Sequence, residues 1–143
     1  MKLSAKILTF ILVIFSLSFT GCESNDEKDD EGYSFEVISY KGEFEGYYKV
    51  DDSPSLFFTS SVAEGNSNYH CYNQKINPDS SVYISATATD TSATSMQIHL
   101  YKDGNLLETA TFSQTTDSTG TELVVNGTLQ YTIDTSGDEK SSE

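Results

Sequence analysis

The chain has 143 residues, and its 22 acidic residues against 8 lysines give it a formal net charge of −14 at pH 7. Nucleic-acid binding depends on basic side chains that neutralise phosphates, so this charge excludes nucleic acid as a partner and disfavours anionic lipid headgroups. It favours a cationic partner or a divalent ion, or it serves only to keep an exported protein soluble.

Residues 1–21 have the organisation of a cleaved signal peptide. Two lysines precede an apolar run over residues 7–19. A membrane-spanning helix needs about 20 apolar residues, so this run has instead the length of an export-signal core. The small residues Thr20 and Gly21 follow it, as signal peptidases require.

Cys22 comes directly after this run. Thr20, Gly21 and Cys22 resemble the lipobox of bacterial lipoproteins, in which the cysteine thiol is joined to diacylglycerol and the new amino group is acylated. Phe19 departs from the leucine that the family prefers, but it is likewise large and apolar. The resemblance implies that Cys22 is the lipidation site and that its acyl chains anchor the protein. The alternative is an ordinary cleaved signal that happens to end beside a cysteine.

Residues 22–32 are predicted to be a disordered acidic tether, because a segment this charged cannot bury enough apolar surface to fold. Within it, Lys28, Asp29, Asp30 and Glu31 resemble the export signal of Bacteroidetes-type outer-membrane lipoproteins. That resemblance implies a lipid-anchored protein of the outer membrane that faces the cell exterior. A plain solvated linker is the alternative.

Residues 33–134 are predicted to form one domain, and residues 135–143 a polar disordered tail. Apolar and polar residues alternate along successive runs that are rich in β-branched and aromatic residues and bounded by turn formers. The runs cover residues 33–40, 43–50, 55–62, 68–76, 81–89, 95–102, 105–112 and 121–133. The sequence therefore predicts an all-β fold, a single antiparallel, immunoglobulin-like β-sandwich of about seven to eight strands.

An Asp-Gly pair between the sixth and seventh runs is a strong β-hairpin signal. A two-residue turn at Asp103–Gly104 places Glu108 beside His99 on the solvent side. A three-residue turn with a glycine bulge places Glu108 on the side of Ile98 instead. We prefer the first register because it keeps the carboxylate in water.

The segment from Val82 to Phe112 contains a strand that ends in alanines, a short polar turn and the Asp-Gly hairpin. It resembles the small mycobacterial membrane-protein family that accompanies lipid transporters, although the cysteine pair of that family is absent. The resemblance implies a β-sandwich. It also suggests the alternative role of a periplasm-facing accessory subunit of a transporter or envelope assembly.

The chain has two cysteines, Cys22 and Cys71. If Cys22 is lipidated, no disulfide holds the domain, which then relies on a core of tyrosine and phenylalanine. We expect Cys71 to be a small buried residue on a strand. The rival interpretation is a Cys22–Cys71 disulfide in an unlipidated protein.

The sequence predicts neither an enzyme nor a cofactor or metal site. His70 and Cys71 are adjacent on a predicted strand, so their side chains leave opposite faces and cannot form a catalytic dyad. We expect His70 and His99 to be surface residues. Asp51–Asp52 and Asp90 lie in predicted turns, where aspartate is common, and Ca²⁺ needs six to eight oxygen ligands.

Several tyrosines are placed on the outside of the sandwich by strand alternation. The candidates are Tyr40, Tyr47, Tyr48, Tyr69, Tyr72 and Tyr101. Exposed tyrosines on a rigid sheet contact sugars or proteins well. In a protein without tryptophan, they also fill the core edge with the hydroxyl in water, and we favour this second interpretation. The sequence thus predicts a lipid-anchored, non-enzymatic binding or accessory module, with an unknown protein or glycan ligand.

Overall fold

A computed structural model describes residues 31–134, and all structural statements refer to this part of the chain. The lipidation site Cys22 and the export-signal residues Lys28, Asp29 and Asp30 lie outside the described residues. Glu31 is the first residue described, in an exposed position. What the sequence predicts for the signal peptide, most of the tether and the tail therefore stays a prediction.

The described chain folds into two antiparallel sheets, so the all-β prediction is confirmed, and the arrangement is consistent with a β-sandwich. The nine strands are β1 (Tyr33–Tyr40), β2 (Phe44–Val50), β3 (Leu56–Thr59), β4 (Ser61–Ala63), β5 (Asn66–Ile76), β6 (Ser81–Ala88), β7 (Ser95–Lys102), β8 (Asn105–Ser113) and β9 (Asn126–Thr132). The five-stranded sheet has the order β4-β5-β1-β7-β8, and the four-stranded sheet has the order β3-β2-β6-β9. Residues 31–134 contain no helix, and hence none of the length and apolarity that a membrane crossing needs.

Alternation along the strands builds the core. In β1, Phe35 and Val37 are fully buried, whereas the alternate residues Glu36 and Ile38 point to the other face, as the sequence predicts. The residues that share the core are Phe35, Val37, Phe44, Tyr48, Phe58, Val82, Ile84, Ala86, Ala88, Ala93, Met96, Ile98, Leu100, Val125 and Leu129. Burying one such large side chain contributes about 1.5–3 kcal/mol.

Aromatic rings fill the space between the sheets near β2 and β5. Phe58 stacks on Tyr72 with ring centroids 4.5 Å apart and planes at 11°. Phe35 packs against Tyr48 at 5.0 Å and against Phe58 at 6.0 Å. The expected dependence on tyrosine and phenylalanine is therefore visible in the packing.

The strand count differs from the prediction because one predicted run belongs to both sheets. Residues 55–62 divide at Ser60 into β3 and β4, which lie in different sheets. The break is held by Phe44, whose N–H donates to the Ser60 hydroxyl at 2.9 Å and whose carbonyl accepts the Ser60 N–H at 2.9 Å. Side chains keep alternating where the chain passes from one sheet to the other, so the sequence pattern does not show where the passage occurs.

The hairpin between β7 and β8 has the predicted two-residue turn. Asp103 and Gly104 have φ values of 50° and 74°, which is the geometry of a type I′ turn. The first pairs above the turn are Lys102 with Asn105 and Tyr101 with Leu106.

The predicted register of Glu108 is wrong, because a β-bulge lies next to this turn. The register shifts between Leu100 and Tyr101, so Glu108 lies opposite Leu100 and Thr109 lies opposite His99. Because β8 is an edge strand, Glu108 is exposed even on this side. The Glu108 carboxylate therefore stays in water although the predicted register is wrong.

Both ends of the described chain lie at one end of the sandwich, which we call the proximal end. There the Asp103 N–H donates to the Gly32 carbonyl at 2.8 Å, and the Gly32 N–H donates to the Asp103 carboxylate at 2.8 Å. Ile133 donates its N–H to the Ser80 carbonyl at 2.8 Å, in the short loop that joins β5 to β6. The opposite, distal end contains residues 41–43 and 89–94, where β1 and β6 have finished.

Candidate functional site

The most exposed large apolar side chain belongs to Phe57 on β3. Phe57 is 82% exposed, whereas its neighbour Phe58 is 5% exposed and lies in the core. The period of a strand requires this, because successive side chains point to opposite faces. Phe57 is therefore displayed on the outer face of the four-stranded sheet.

Two tyrosines continue the aromatic surface across adjacent strands. Tyr47 on β2 lies opposite Phe57, with ring centroids 6.0 Å apart and planes at 52°. On the next strand, Tyr83 of β6 stacks on Tyr47 at 5.8 Å and 27°. The three rings form one aromatic strip over β3, β2 and β6.

The phenols of Tyr47 and Tyr83 also share a hydrogen bond. A hydrogen bond with Tyr47 raises the pKa of Tyr83 above its ordinary value, burial acts in the same direction, and a hydrogen bond with Ser85 opposes them. Tyr47 thus contacts both of the other rings of the strip.

A groove of about 510 Å³ opens beside this strip, within the size range of small-ligand sites. The aromatic groove is lined by Glu45, Gly46, Tyr47, Phe57, Phe58, Thr59, Ser85 and Thr87. It combines apolar ring faces with one exposed carboxylate and four hydroxyls, those of Tyr47, Thr59, Ser85 and Thr87. Such a lining offers both apolar and polar contacts to a ligand.

Gly46 sets the spacing of the strands beneath the groove. A Cβ at this position would lie 2.3 Å from the Ser85 carbonyl oxygen and 2.5 Å from the Phe58 ring. No real Cβ makes such contacts, so any other residue would push β2 away from its neighbours. The glycine lets the Phe58 ring pack directly against the β2 backbone.

The register places the aromatic groove away from the proximal end. Tyr47 lies in a row with Phe57 and Ser85 at the middle of the sheet. The next row toward the distal end contains Glu45, with Thr59 and Thr87 opposite it. The groove thus occupies the central and distal part of this face.

The other tyrosines named from the sequence divide between core and surface. Tyr48 is buried and Tyr72 is half-buried in the aromatic core. Tyr40 and Tyr69 pair at 5.1 Å on the outer face of the five-stranded sheet, where Lys41 lies 5.3 Å from the Tyr40 ring centroid. The core-edge interpretation therefore holds for some of these residues and not for Tyr47.

Phe57 was not among the residues singled out from the sequence. Its neighbour Phe58 is equally apolar, and sequence alone does not say which of two adjacent aromatic residues faces inward. The pairing of β3 with β2, which only the structure shows, sets Phe57 opposite Tyr47.

The expectation that both histidines are surface residues is wrong for His70, whereas His99 lies half-buried on the outer face of its sheet. His70 faces inward opposite the buried Ser39, and its Nδ1 atom is buried without a hydrogen-bond partner. His99 lies between Glu36 and Thr109, with its Nδ1 atom 3.1 Å from the Thr109 hydroxyl. Burial lowers the pKa of His99, and the Glu36 carboxylate opposes this effect.

Cys71 is 3% exposed, so the expectation that it is buried is confirmed. It pairs with Ile38, and His70 pairs with Ser39, so the two side chains leave opposite faces as predicted. His99 shares the outer face with Cys71 but lies two strands away, a separation of about 10 Å. The geometry brings no histidine to the Cys71 sulfur.

The structure assigns Cys71 to a disulfide. The chain has one other cysteine, Cys22, which lies outside the described residues. The sequence leaves open whether Cys22 is lipidated or forms a disulfide with Cys71. The choice between them decides whether the protein has a lipid anchor.

The turn aspartates bind the backbone. The Asp51 carboxylate accepts hydrogen bonds from the N–H groups of Asp79, Ser80 and Ser81 at 2.7–2.8 Å, and these hydrogen bonds hold the pKa of Asp51 far below its usual range. Asp90 likewise accepts the N–H of Ser92 at 2.8 Å. Residues 31–134 contain no group of three or more His, Cys, Asp or Glu side chains that would hold a metal ion.

Comparisons of the chain with protein-family models, with curated proteins and with solved structures give no significant match.

Proposed function

We propose that the chain is a lipoprotein that is anchored through Cys22 to the outer membrane, faces the cell exterior, and binds a ligand at the aromatic groove without catalysis. The observation that carries the binding role is the 82% exposure of Phe57 within an ordered strip of three rings. Exposing so large an apolar surface is unfavourable in water, and contiguous exposed apolar surface marks interaction sites.

The direction of the groove supports an anchored binding module. Gly32, the last residue of the acidic tether, lies at the proximal end of the sandwich. The groove extends toward the distal end, where Glu45, Thr59 and Thr87 lie. A membrane attached ahead of Gly32 would thus leave the groove accessible from the outside.

The lipid anchor and a disulfide compete for the same sulfur. If Cys22 carries diacylglycerol, it cannot also pair with Cys71, whose disulfide assignment would then not apply to the mature protein. A mass spectrum of the amino-terminal peptide after reduction and alkylation decides between them. A lipidated Cys22 supports the anchor, and an alkylated Cys22 contradicts it.

Protease shaving of intact cells tests the outward orientation. The tagged wild type is compared with a variant in which Lys28, Asp29, Asp30 and Glu31 are all alanine, and with Cys22→Ala as the control for anchoring. Digestion of the wild type together with protection of the tether variant is the expected result.

Protection of both proteins until the outer membrane is opened would contradict surface exposure. The acidic residues would then be a spacer only. The protein would belong on the periplasmic side, as the accessory-subunit alternative from the sequence requires.

A further inference from the structure

We infer that the aromatic groove takes a cationic side chain, presented by an extended basic segment of a partner protein. This inference deepens the proposed binding function and rests on it. It concerns the chemistry of the ligand and not the location of the protein. The rings, the charge of the face and the neighbouring strand edge each contribute to it.

The rings provide the first part of a cation site. A Lys or Arg head group is attracted to an aromatic face when it lies within about 6 Å of the ring centroid. The Tyr47 and Phe57 centroids are 6.0 Å apart, so one cation can reach both rings. Because Phe57 is displayed to solvent, nothing within the described sheet face has to move first.

The charge of the groove provides the second part. Glu45 is exposed and lines the groove, in the row toward the distal end. The one lysine of this strand, Lys49, lies opposite Tyr83 on the proximal side and does not line the groove. The whole chain carries −14, which draws cations and repels phosphate or carboxylate ligands.

The edge of the sheet favours a peptide over other cations. β3 is an edge strand, so one row of its backbone N–H and C=O groups points away from β2. An extended segment can add to such an edge, where main-chain hydrogen bonds supply affinity and side-chain pockets supply specificity.

Calorimetric titration of the lipidated full-length mature protein in non-ionic detergent tests the inference. The probe is a tetralysine peptide, and the comparator is the same peptide with all four side-chain amines acetylated, which keeps the length and removes the charge. A third titration uses cellohexaose, a neutral glycan. We expect tetralysine to bind, the acetylated peptide to bind at least about tenfold more weakly, and added salt to weaken the binding.

Two groove variants and two matched controls locate the binding. Phe57→Ala and Glu45→Gln remove a ring and a charge from the groove. Tyr69→Ala and Glu122→Gln remove an aromatic residue and an exposed acid elsewhere. We expect about tenfold weaker tetralysine binding in each groove variant and little change in either control.

Equal losses in Glu45→Gln and Glu122→Gln would show that the attraction is only general and would overturn the inference. The absence of tetralysine binding would also overturn it. If cellohexaose binds and the binding is lost in Phe57→Ala, the groove is a glycan site. The proposed binding function then stands while the cationic ligand is refuted. Near-ultraviolet circular dichroism of each variant verifies that the fold is retained.

Discussion

The ring of Phe112 lies directly against the backbone of Gly127. An ideal Cβ built on Gly127 would be 2.3 Å from ring atoms of Phe112. Phe112 belongs to β8 and Gly127 to β9, which are edge strands of the two different sheets. The contact therefore closes one open side of the sandwich, and the glycine is what makes room for the ring.

We predict that Gly127→Ala destabilises the domain by about 1–3 kcal/mol, because the added methyl forces the Phe112 ring or the β9 backbone to move. Chemical denaturation of the single variants Gly127→Ala and Phe112→Ala, and of the double variant, measures the coupling. The double variant should be more stable than the sum of the two single losses implies, because the truncated Phe112 side chain leaves space for the methyl.

Strict additivity in this cycle would contradict the contact. Gly120→Ala is not a suitable control, since Gly120 has a φ of 83° that strains any other residue. A better control is Thr128→Ala, which lies next to Gly127 on β9 and is exposed. It should change the unfolding free energy by less than about 0.5 kcal/mol.

The fold class was predictable because strand alternation is a local property. The Phe35 and Val37 pattern on β1 and the Asp103–Gly104 turn both follow from a few neighbouring residues, and both are observed. The contact of Phe112 with Gly127 does not follow from such local patterns, because the two residues lie on different sheets.

Features that depend on distant pairing were not predictable. The bulge beside Leu107 moves Glu108 to the other face, although the turn residues are unchanged. The crossing at Ser60 turns one run into two strands for the same reason. The aromatic groove also depends on distant pairing, since Phe57 becomes part of a strip only when β3 pairs with β2.

Asp51 predicts a pH dependence of stability. Backbone N–H groups of the β5–β6 loop stabilise its carboxylate, so its folded pKa is lower than the ordinary value of 3.8. A depressed folded pKa gives a contribution that is present above the unfolded pKa and is lost as the pH falls through the folded value. We expect Asp51→Asn to unfold more easily than the wild type at pH 7.

The difference in unfolding free energy between Asp51→Asn and the wild type should become smaller as the pH falls below about 4. Denaturant unfolding at a series of pH values follows it, with Asp52→Asn as the neighbouring control. Asp52 is the next residue of the same turn and is exposed, so it is the matched acid. A gap that stays constant down to strongly acidic pH would show that the Asp51 carboxylate does not stabilise the loop.

The Tyr47–Tyr83 hydrogen bond predicts an alkaline titration. Because it raises the pKa of Tyr83 above 10.0, Tyr47→Phe should lower the pKa of Tyr83 toward that value. A raised folded pKa stabilises the protein below the unfolded value and ceases to do so as the pH rises through the folded one. Ring NMR resonances of Tyr83, followed against pH in wild type and Tyr47→Phe, measure the shift.

Tyr101 provides the internal reference for this titration. Its pKa is raised by burial, with a smaller effect of Glu36 on the neighbouring strand of the same sheet. Because Tyr47 lies on the other sheet, Tyr47→Phe should leave the pKa of Tyr101 unchanged. Equal shifts of Tyr83 and Tyr101 would indicate a general change of structure. They would contradict a direct bond between the two phenols of the aromatic strip.

Phe57 and Phe58 are adjacent, but their substitution should affect the stability of the fold very differently. Phe58→Ala removes a ring that stacks on Tyr72 in the core, and we expect a loss of about 3–5 kcal/mol in unfolding free energy. Phe57→Ala removes an exposed ring and should change stability by less than about 0.5 kcal/mol. Denaturant unfolding of the two variants makes the comparison within one strand. A large destabilisation by Phe57→Ala would mean that the ring is a structural part of the sheet. Its exposure would then be explained by stability, without a ligand.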